Sequence, residues 1–294
     1  MSSGLQEIKN APSRPRIPEW IRMQRGGGEH YTYLKNVSRE YNLHSVCEEA
    51  KCPNLGECWS HGAATFMLMG DICTRRCHFC SVGQGRPAAL DADEPEHIAT
   101  VVAAMGLKYC VLTSVARDDL PDQGADHIAK TIEAIHAKLP TCKLEMLVPD
   151  FRGVRACVER VVQTPLTVFA HNVETVPRLH REVRNGAIYE RSLATLTMAK
   201  EIRSDVLTKS GMMLGLGETR EEVLMVCEDL RRHSCDILTL GQYLQPTREQ
   251  LPVVSFITPQ EFADLRRDAL KLGFRHVEAG PLVRSSYHAW QHVQ

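Results

Sequence analysis

The chain has no apolar run approaching the ~18 uninterrupted residues that a membrane-spanning helix needs. Its first ten residues have no apolar signal core and include Glu7 and one basic residue, Lys9. Secretion is therefore not expected, and the cytoplasm is the expected location, with a short organellar segment as the alternative. Excess charge is missing too: Lys plus Arg is 35, Asp plus Glu is 36, and the net charge is −1. That balance offers no footprint for nucleic acid and no acidic disordered tail. There is no coiled-coil heptad to suggest a dimer. What remains is a soluble, globular profile, 43% hydrophobic and 24% charged, and 294 residues suit one barrel-sized α/β domain.

Cysteine is the residue the chain does not lack. Eleven cysteines in a chain that is not secreted should mostly be reduced, so clustered spacings point to metal or catalysis rather than disulfides. Cys110, Cys142, Cys157, Cys227 and Cys235 lie in strand-like or helical stretches and read as small buried hydrophobes. The other six form two triads. Cys73, Cys77 and Cys80 are spaced Cys-x3-Cys-x2-Cys directly after the apolar run 63–69. Three thiolates are one short of the four that a cuboidal iron–sulfur cluster or structural zinc takes, which leaves a metal position open for another ligand. Zinc would need a second ligand pair to close its tetrahedron, and no Cys-x-x-Cys or His-x3-His follows Cys80. Ahead of this motif stand Cys47, Cys52 and Cys58, spaced Cys-x4-Cys-x5-Cys. Pro53 and Gly56 make a turn-rich loop there, able to aim three sulfurs at one point. Glu48, Glu49, Lys51 and Glu57 make the sequence around them hydrophilic, unlike the surroundings of inert cysteines.

Beyond the cysteines the chain alternates strand and helix. Strand-like runs cover 65–70, 109–115, 143–148, 166–170, 208–215 and 236–243, each short, apolar and bounded by turn residues. Helices between them are marked by Asp93 to Glu96 with Gly106 as the stop, by the Ile128, Ile132, Ile135 and Leu139 stripe, and by capping boxes at Thr219/Glu222 and Thr258/Glu261. Pro259 and Gly273 bracket the last of these. A short helix is expected over 32–41. Residues 1–28 read as an irregular arm broken by Pro12, Pro15, Pro18 and Gly26–Gly28, loosely held over 1–15, with Trp20 and Ile21 as anchors.

Six βα units favour α/β architecture: a parallel sheet curled as a partial (β/α)6 TIM-type barrel with extensions at both ends. The divisions expected are 1–62, an extension carrying the first triad in the chain; 63–275, the barrel; and 276–294, a tail. Chemistry belongs at the C-terminal ends of the strands. Polar residues there are Thr113, Ser114 and Asp118 after the second strand, His171, Asn172 and Glu174 after the fourth, Gly215 and Gly217 after the fifth, and Gln242 after the sixth. Such groups suit the ammonium or ribose of a cofactor, or equally a helix cap and a solvated charge pair.

The Cys73–Cys80 spacing, with Phe79 just before the third cysteine, resembles the radical S-adenosylmethionine superfamily. The span from about Pro18 to Ala289 resembles the lipoyl synthase family within it. It carries both triads in order, the terminal Arg284-Ser285-Ser286-Tyr287, and phrases such as Pro149-Asp150-Phe151-Arg152-Gly153 and His171-Asn172-Val173-Glu174-Thr175. The resemblance implies that Cys73, Cys77 and Cys80 hold the 4Fe–4S cluster that binds and cleaves S-adenosylmethionine. Cys47, Cys52 and Cys58 would hold an auxiliary 4Fe–4S cluster with Ser286 as fourth ligand, or else Ser285; catalytic groups beyond the clusters are not implied. Phe79, Thr113, Ser114, Asp118, Asn172, Glu174 and Gln242 are the expected cofactor contacts. The implied reaction adds sulfur at carbons 6 and 8 of an octanoyl group on a carrier lysine. Hydrogen abstraction by a 5′-deoxyadenosyl radical would open each carbon, and the auxiliary cluster would give up its sulfide. Implied partners are octanoylated lipoyl domains, namely the glycine cleavage H protein and dehydrogenase E2 subunits, with ferredoxin or flavodoxin as electron donor and neither nucleic acid nor membrane. Cys47–Cys58 and Ser286 are expected to lie across the barrel mouth. Biotin synthase or a methylthiotransferase is the nearest rival enzyme reading, and a zinc-binding interaction protein the rival outside enzymes.

Overall fold

Successive residues of a strand point to opposite faces, so a sheet wrapped by helices must sort its residues by alternation. In this computed structural model, which describes residues 16–22, 27–41, 43–60 and 65–293, the sorting is clear along the chain. Leu144 and Met146 join the apolar core under the helices, while Glu145 between them faces the other way. Met212 and Leu214 do the same around Lys209 and Gly211, and Val277 and Ala279 around His276 and Glu278. The outer face of the sheet is therefore packed with aliphatic side chains. The inner face is polar or small around Glu145, Lys209 and Gly211, above an apolar floor of Val168, Leu207 and Ile237.

The strands in chain order are β1 (His44–Ser45), β2 (Thr65–Leu68), β3 (Ile72–Cys73), β4 (Arg76–Cys77), β5 (Gly83–Gln84), β6 (Tyr109–Ser114), β7 (Lys143–Leu147), β8 (Val168–Ala170), β9 (Arg184–Asn185), β10 (Leu207–Leu214), β11 (Ile237–Gln242) and β12 (His276–Gly280). One sheet runs β1-β2-β6-β7-β8-β10-β11-β12. All its pairings are parallel except β1 with β2. Spatial order follows chain order, with a helix after most strands, which is the partial barrel expected. All six expected strands are present. A seventh parallel strand, β12, was read as part of the tail, so the sheet runs five residues past the expected boundary at 275/276. At the other end β1, within the expected N-terminal extension, adds an antiparallel edge.

Both capping boxes form, at Thr219/Glu222 and Thr258/Glu261. The expected cap at Asp93 does not: its side chain bonds no helix N–H, and the neighbouring Glu94 is used elsewhere. The helix expected over 32–41 covers Glu29–Glu40. Of the arm, Ile21 is buried and Trp20 exposed; the loosely held stretch 1–15 lies outside the described residues. Cys110, Cys142, Cys157, Cys227 and Cys235 are free and buried, as small hydrophobes should be. No helix among the described residues is long and apolar enough to cross a membrane.

Candidate metal centres and the barrel interior

The loop that carries Cys73, Cys77 and Cys80 leaves the C-terminal end of β2 and is fixed on several sides. Glu94 accepts the Met69 N–H at 2.9 Å and meets His127 Nε2 at 2.5 Å, which pins the exit of the strand. Gly124 lies so close to Met69 that any side chain there would strike its sulfur, and its φ of +82° suits glycine. Cys73 pairs in β3 with β5, and Cys77 in β4 with β9. The Cys73 sulfur accepts from the backbone N–H of Arg75 at 3.4 Å and of Ala116 at 3.3 Å. Burial pushes the Cys77 thiol up and the Cys80 thiol up to about 12. Sulfurs so placed keep a proton until a metal replaces it.

Arg75, between the first two cysteines, holds the loop to the body. It pairs with Asp118 at 2.8 Å and with the fully buried Asp150 at 2.6 Å, which also takes Arg191 at 2.6 Å. Burial alone would raise the Asp150 pKa, but the Arg75 charge and hydrogen bond hold it well below the ordinary carboxylate range. Phe151 and Arg152 follow with φ of +43° and +49°, strained for non-glycine residues. The strain sits where the backbone N–H of Arg152 turns back to Asp150. Beside the loop is a cavity of about 390 Å³ lined by Thr74, Arg75, Arg76, Asp118, Arg152 and Arg191, among others.

The second triad is built by two short helices, Val46–Glu49 and Leu55–Ser60. Ser45 caps the first by accepting from the Cys47 N–H. Leu34, Cys47 and Trp59 form an apolar nest against which Cys52 and Cys58 pack, while Glu57 accepts from the Tyr287 hydroxyl at 3.3 Å. The triad's surroundings are therefore mixed, apolar on the side of Leu34 and Trp59 and polar on the side of Asn54, Thr65 and Arg284. A hydrogen bond from the Cys52 thiol lowers the Cys47 pKa to about 6 despite burial. Burial pushes Cys58 up to about 12.

Cys47, Cys52, Cys58 and Ser286 line one cavity, together with Asn54, Thr65, Tyr109, Val111, Arg284 and Tyr287. The tail reaches it by a guided path. Gly241 admits the Val283 carbonyl where a Cβ would collide with it. Asn54 Nδ2 donates to the Leu282 carbonyl at 2.6 Å. Lys209 Nζ donates to the Ser285 carbonyl at 2.5 Å and pairs with Glu145 at 2.6 Å, both fully buried. Glu145 also accepts from the Tyr109 hydroxyl at 2.6 Å. This inward trio was not anticipated from the sequence: its members stand on three strands, and only sheet register brings them together.

The triads lie towards opposite ends of β2, a four-residue strand ~10 Å long: Cys73 follows after Leu68, and Cys47 lies beside Thr65. The expected position across the mouth is thus corrected: the second triad sits by the N-terminal ends of β2 and β6, where Thr65 and Tyr109 line its cavity. Both triads still share the interior. Glu174 lies within electrostatic reach of Cys77, Cys80 and Arg284, and Arg284 within reach of Cys52. Ser81 Oγ donates to the Glu49 carbonyl at 2.8 Å, tying one cysteine loop to the other.

The expected cofactor contacts separate into free and occupied groups. Ser114 Oγ and Asn172 Oδ1 are buried with no hydrogen-bond partner among the described residues. Asn172 Nδ2 donates to Glu174 at 3.0 Å and to Ser285 Oγ at 2.8 Å. Phe79 is half-buried against the core of the second half of the barrel. Thr113 donates weakly to the Leu147 carbonyl, and Asp118 is held by Arg75. Gln242 is fully used: Nε2 donates to the carbonyls of Leu214, Tyr243 and Ser255, and Oε1 accepts from Ile257 N–H. It braces a loop and has no atom left for a ligand.

Each triad offers three free cysteines, and Ser286 shares the cavity of the second, the donor set that suits a cuboidal iron–sulfur cluster. Among the described residues, His276, Glu278 and His292 also bring three ligand atoms within 4.8 Å of one another.

Residues 67–230 match the Radical SAM superfamily, and residues 4–52 match the N-terminal domain of lipoyl synthase of that family. A lipoyl synthase from Laribacter hongkongensis is 54% identical over 98% of this chain and 92% of its own length. Another from Hahella chejuensis is 55% identical over 94% and 83%. The chain belongs to the lipoyl synthase family. It is a radical S-adenosylmethionine sulfurtransferase whose cofactors are 4Fe–4S clusters and S-adenosylmethionine. Among solved structures the methylornithine synthase PylB matches with a TM-score of 0.53 at 14% identity, covering 73% of this chain and 70% of that one. SuiB of Streptococcus suis bound to S-adenosylmethionine matches with 0.55 at 13%, covering 82% and 52%. Both likenesses speak to the fold alone.

Proposed function

We propose that Cys73, Cys77 and Cys80 ligate the cluster that takes S-adenosylmethionine, and that Cys47, Cys52, Cys58 and Ser286 ligate the auxiliary cluster that donates sulfur. The substrate is an octanoyl group amide-linked to a lysine of a lipoyl carrier domain, and sulfur is added at carbons 6 and 8. The observation that carries this reading is the common cavity lined by Cys47, Cys52, Cys58 and Ser286. Bound there, the cofactors supply hydrogen abstraction from unactivated carbon and sulfide to replace the hydrogen, chemistry no acid–base side chain can reach.

The chain's own residues bind, orient and exclude water. Three cysteines leave one iron open to the ligand. Ser114 Oγ and Asn172 Oδ1, buried and unpartnered among the described residues, offer polar contacts at the strand ends. Gly211, whose Cβ would crowd Thr239 and Asn172, keeps the inner wall thin where an extended acyl chain must pass. The ~10 Å between the ends of β2 is a span that such a chain bridges. Ser286 suits a position that must be vacated, since an oxygen ligand holds iron less firmly than a thiolate. The H protein of glycine cleavage and dehydrogenase E2 subunits are the proposed carriers, ferredoxin or flavodoxin the electron donor, and the reducing cytoplasm the setting for eleven free cysteines.

The test is turnover on an octanoyl-lysine peptide with protein whose clusters carry heavy sulfide isotope. Product with two heavy sulfur atoms is expected. Product bearing only sulfur from solution would overturn the donor assignment.

A further inference from the structure

Below the auxiliary site the tail meets the last strand in a cluster that the reaction does not use. His276 and Glu278 are two residues apart on β12, hence on one face, and that face is inward because Val277 and Ala279 take the helix side. His292 comes from the short turn Ala289–Val293, whose Val293 packs on Val168 and Ile237 at the lower end of the barrel. One ligand atom from each of the three residues lies within 4.8 Å of the other two. His276 Nε2 and Glu278 Oε2 are 3.4 Å apart, and the His276 and His292 rings are 4.5 Å between centroids. Two ligands of one tetrahedral ion at ~2.0–2.1 Å stand ~3.3 Å apart.

His292 is the second, independent observation. It is 1% exposed, and both its ring nitrogens are without a hydrogen-bond partner among the described residues. A buried imidazole with neither nitrogen satisfied is costly unless something else binds it. The charged or titratable groups facing His292 are Lys209, His276, Glu278 and His288, and Lys209 is matched by Glu145. Glu278 therefore supplies the negative charge for a cation.

We infer that His276, Glu278 and His292 form a binding site for one divalent transition-metal ion, zinc being the best match to two imidazoles and a carboxylate. His276 and Glu278 are half-buried, so water has access to the fourth position. The ion ties the end of the chain to the last strand, below the stretch that carries Ser286. The inference is independent of the cluster assignments, because none of the three residues belongs to either triad.

The test uses anaerobically purified protein with both clusters in place, given one equivalent of zinc chloride and passed through gel filtration. About one zinc per chain is expected to stay, with an X-ray absorption spectrum showing nitrogen and oxygen neighbours and no sulfur. His276→Gln and Glu278→Gln act on half-exposed side chains and should weaken zinc binding by at least ~10-fold, judged against the loss seen when even outer-shell partners are removed. Iron content, read on the same samples, should not change. Zinc that is not retained, that is retained equally by both variants, or that has sulfur neighbours and so sits in a cysteine site overturns the inference.

Discussion

Ser285 and Ser286 are adjacent, yet their surroundings give them different work. The Ser285 hydroxyl accepts from Asn172, and its carbonyl accepts from Lys209. Ser286 instead lines the cavity of the three cysteines. Ser286→Ala should therefore abolish product while leaving about four irons at the first triad. Ser285→Ala should cost only about 1 kcal/mol of stability, the worth of one hydrogen bond, and keep most activity. Mass spectrometry of the product with iron counting separates the two; equal losses would sink the assignment. Lys209 carries a second prediction. Lys209→Met leaves the Glu145 carboxylate buried and unpaired, which costs about 3–5 kcal/mol, whereas Lys209→Met with Glu145→Met should recover much of that. Thermal melts check this, and a double variant no better than the single would show that the pair is not the reason. The cysteine ligands were legible in the sequence because their spacing is local. The Lys209–Glu145–Tyr109 trio was not, since it needs the register of four neighbouring strands. Asp118 and Gln242 were read as cofactor contacts because they are polar at strand ends; the structure spends them on an ion pair and a loop brace.

At the scale of the element, the turn after β7 governs the first cysteine loop. Asp150 receives Arg75 from that loop and Arg191 from the helix Tyr189–Ile202. Its pKa is held below the ordinary value of ~3.9, so its contribution to stability is present above that value and is lost as pH falls through the folded pKa. Asp150→Asn should then lower stability and iron retention at the first triad by the same amount anywhere between pH 6 and 9, values chosen well above ~3.9. A loss that varies across that window would show that some other group is responsible. Strands and capped helices were legible where apolar spacing matched the period. Strand β12 was not, because its inward residues are His276, Glu278 and Gly280, and only Val277 and Ala279 remain as an apolar signal. The helix Tyr189–Ile202 escaped for a related reason: Ser192 and Thr195 are fully buried on it, which blurs its apolar stripe.

For the whole molecule, the two sites differ in how much of the chain each one needs. The first triad is a single loop clamped by groups from the body: Glu94, Asp118, Asp150 and the backbone of Ala116. The second requires both ends at once, since its cysteines come from residues 47–58 and Ser286 arrives only after the chain has passed seven parallel strands. The dependence should therefore run one way. Alanine at Cys73, Cys77 and Cys80 together should remove about four irons and leave the auxiliary cluster intact. Removing the chain from Ala289 onward takes away Val293, which packs on Val168 and Ile237, and loosens the segment that holds Ser286. That truncation should empty or destabilise the auxiliary site and spare the first, with S-adenosylmethionine cleavage persisting while sulfur transfer stops. Iron counting and separate assays of cofactor cleavage and product settle the direction. A truncated chain that loses both clusters together would mean that the tail supports the whole barrel, and the one-way dependence argued from these contacts would be wrong.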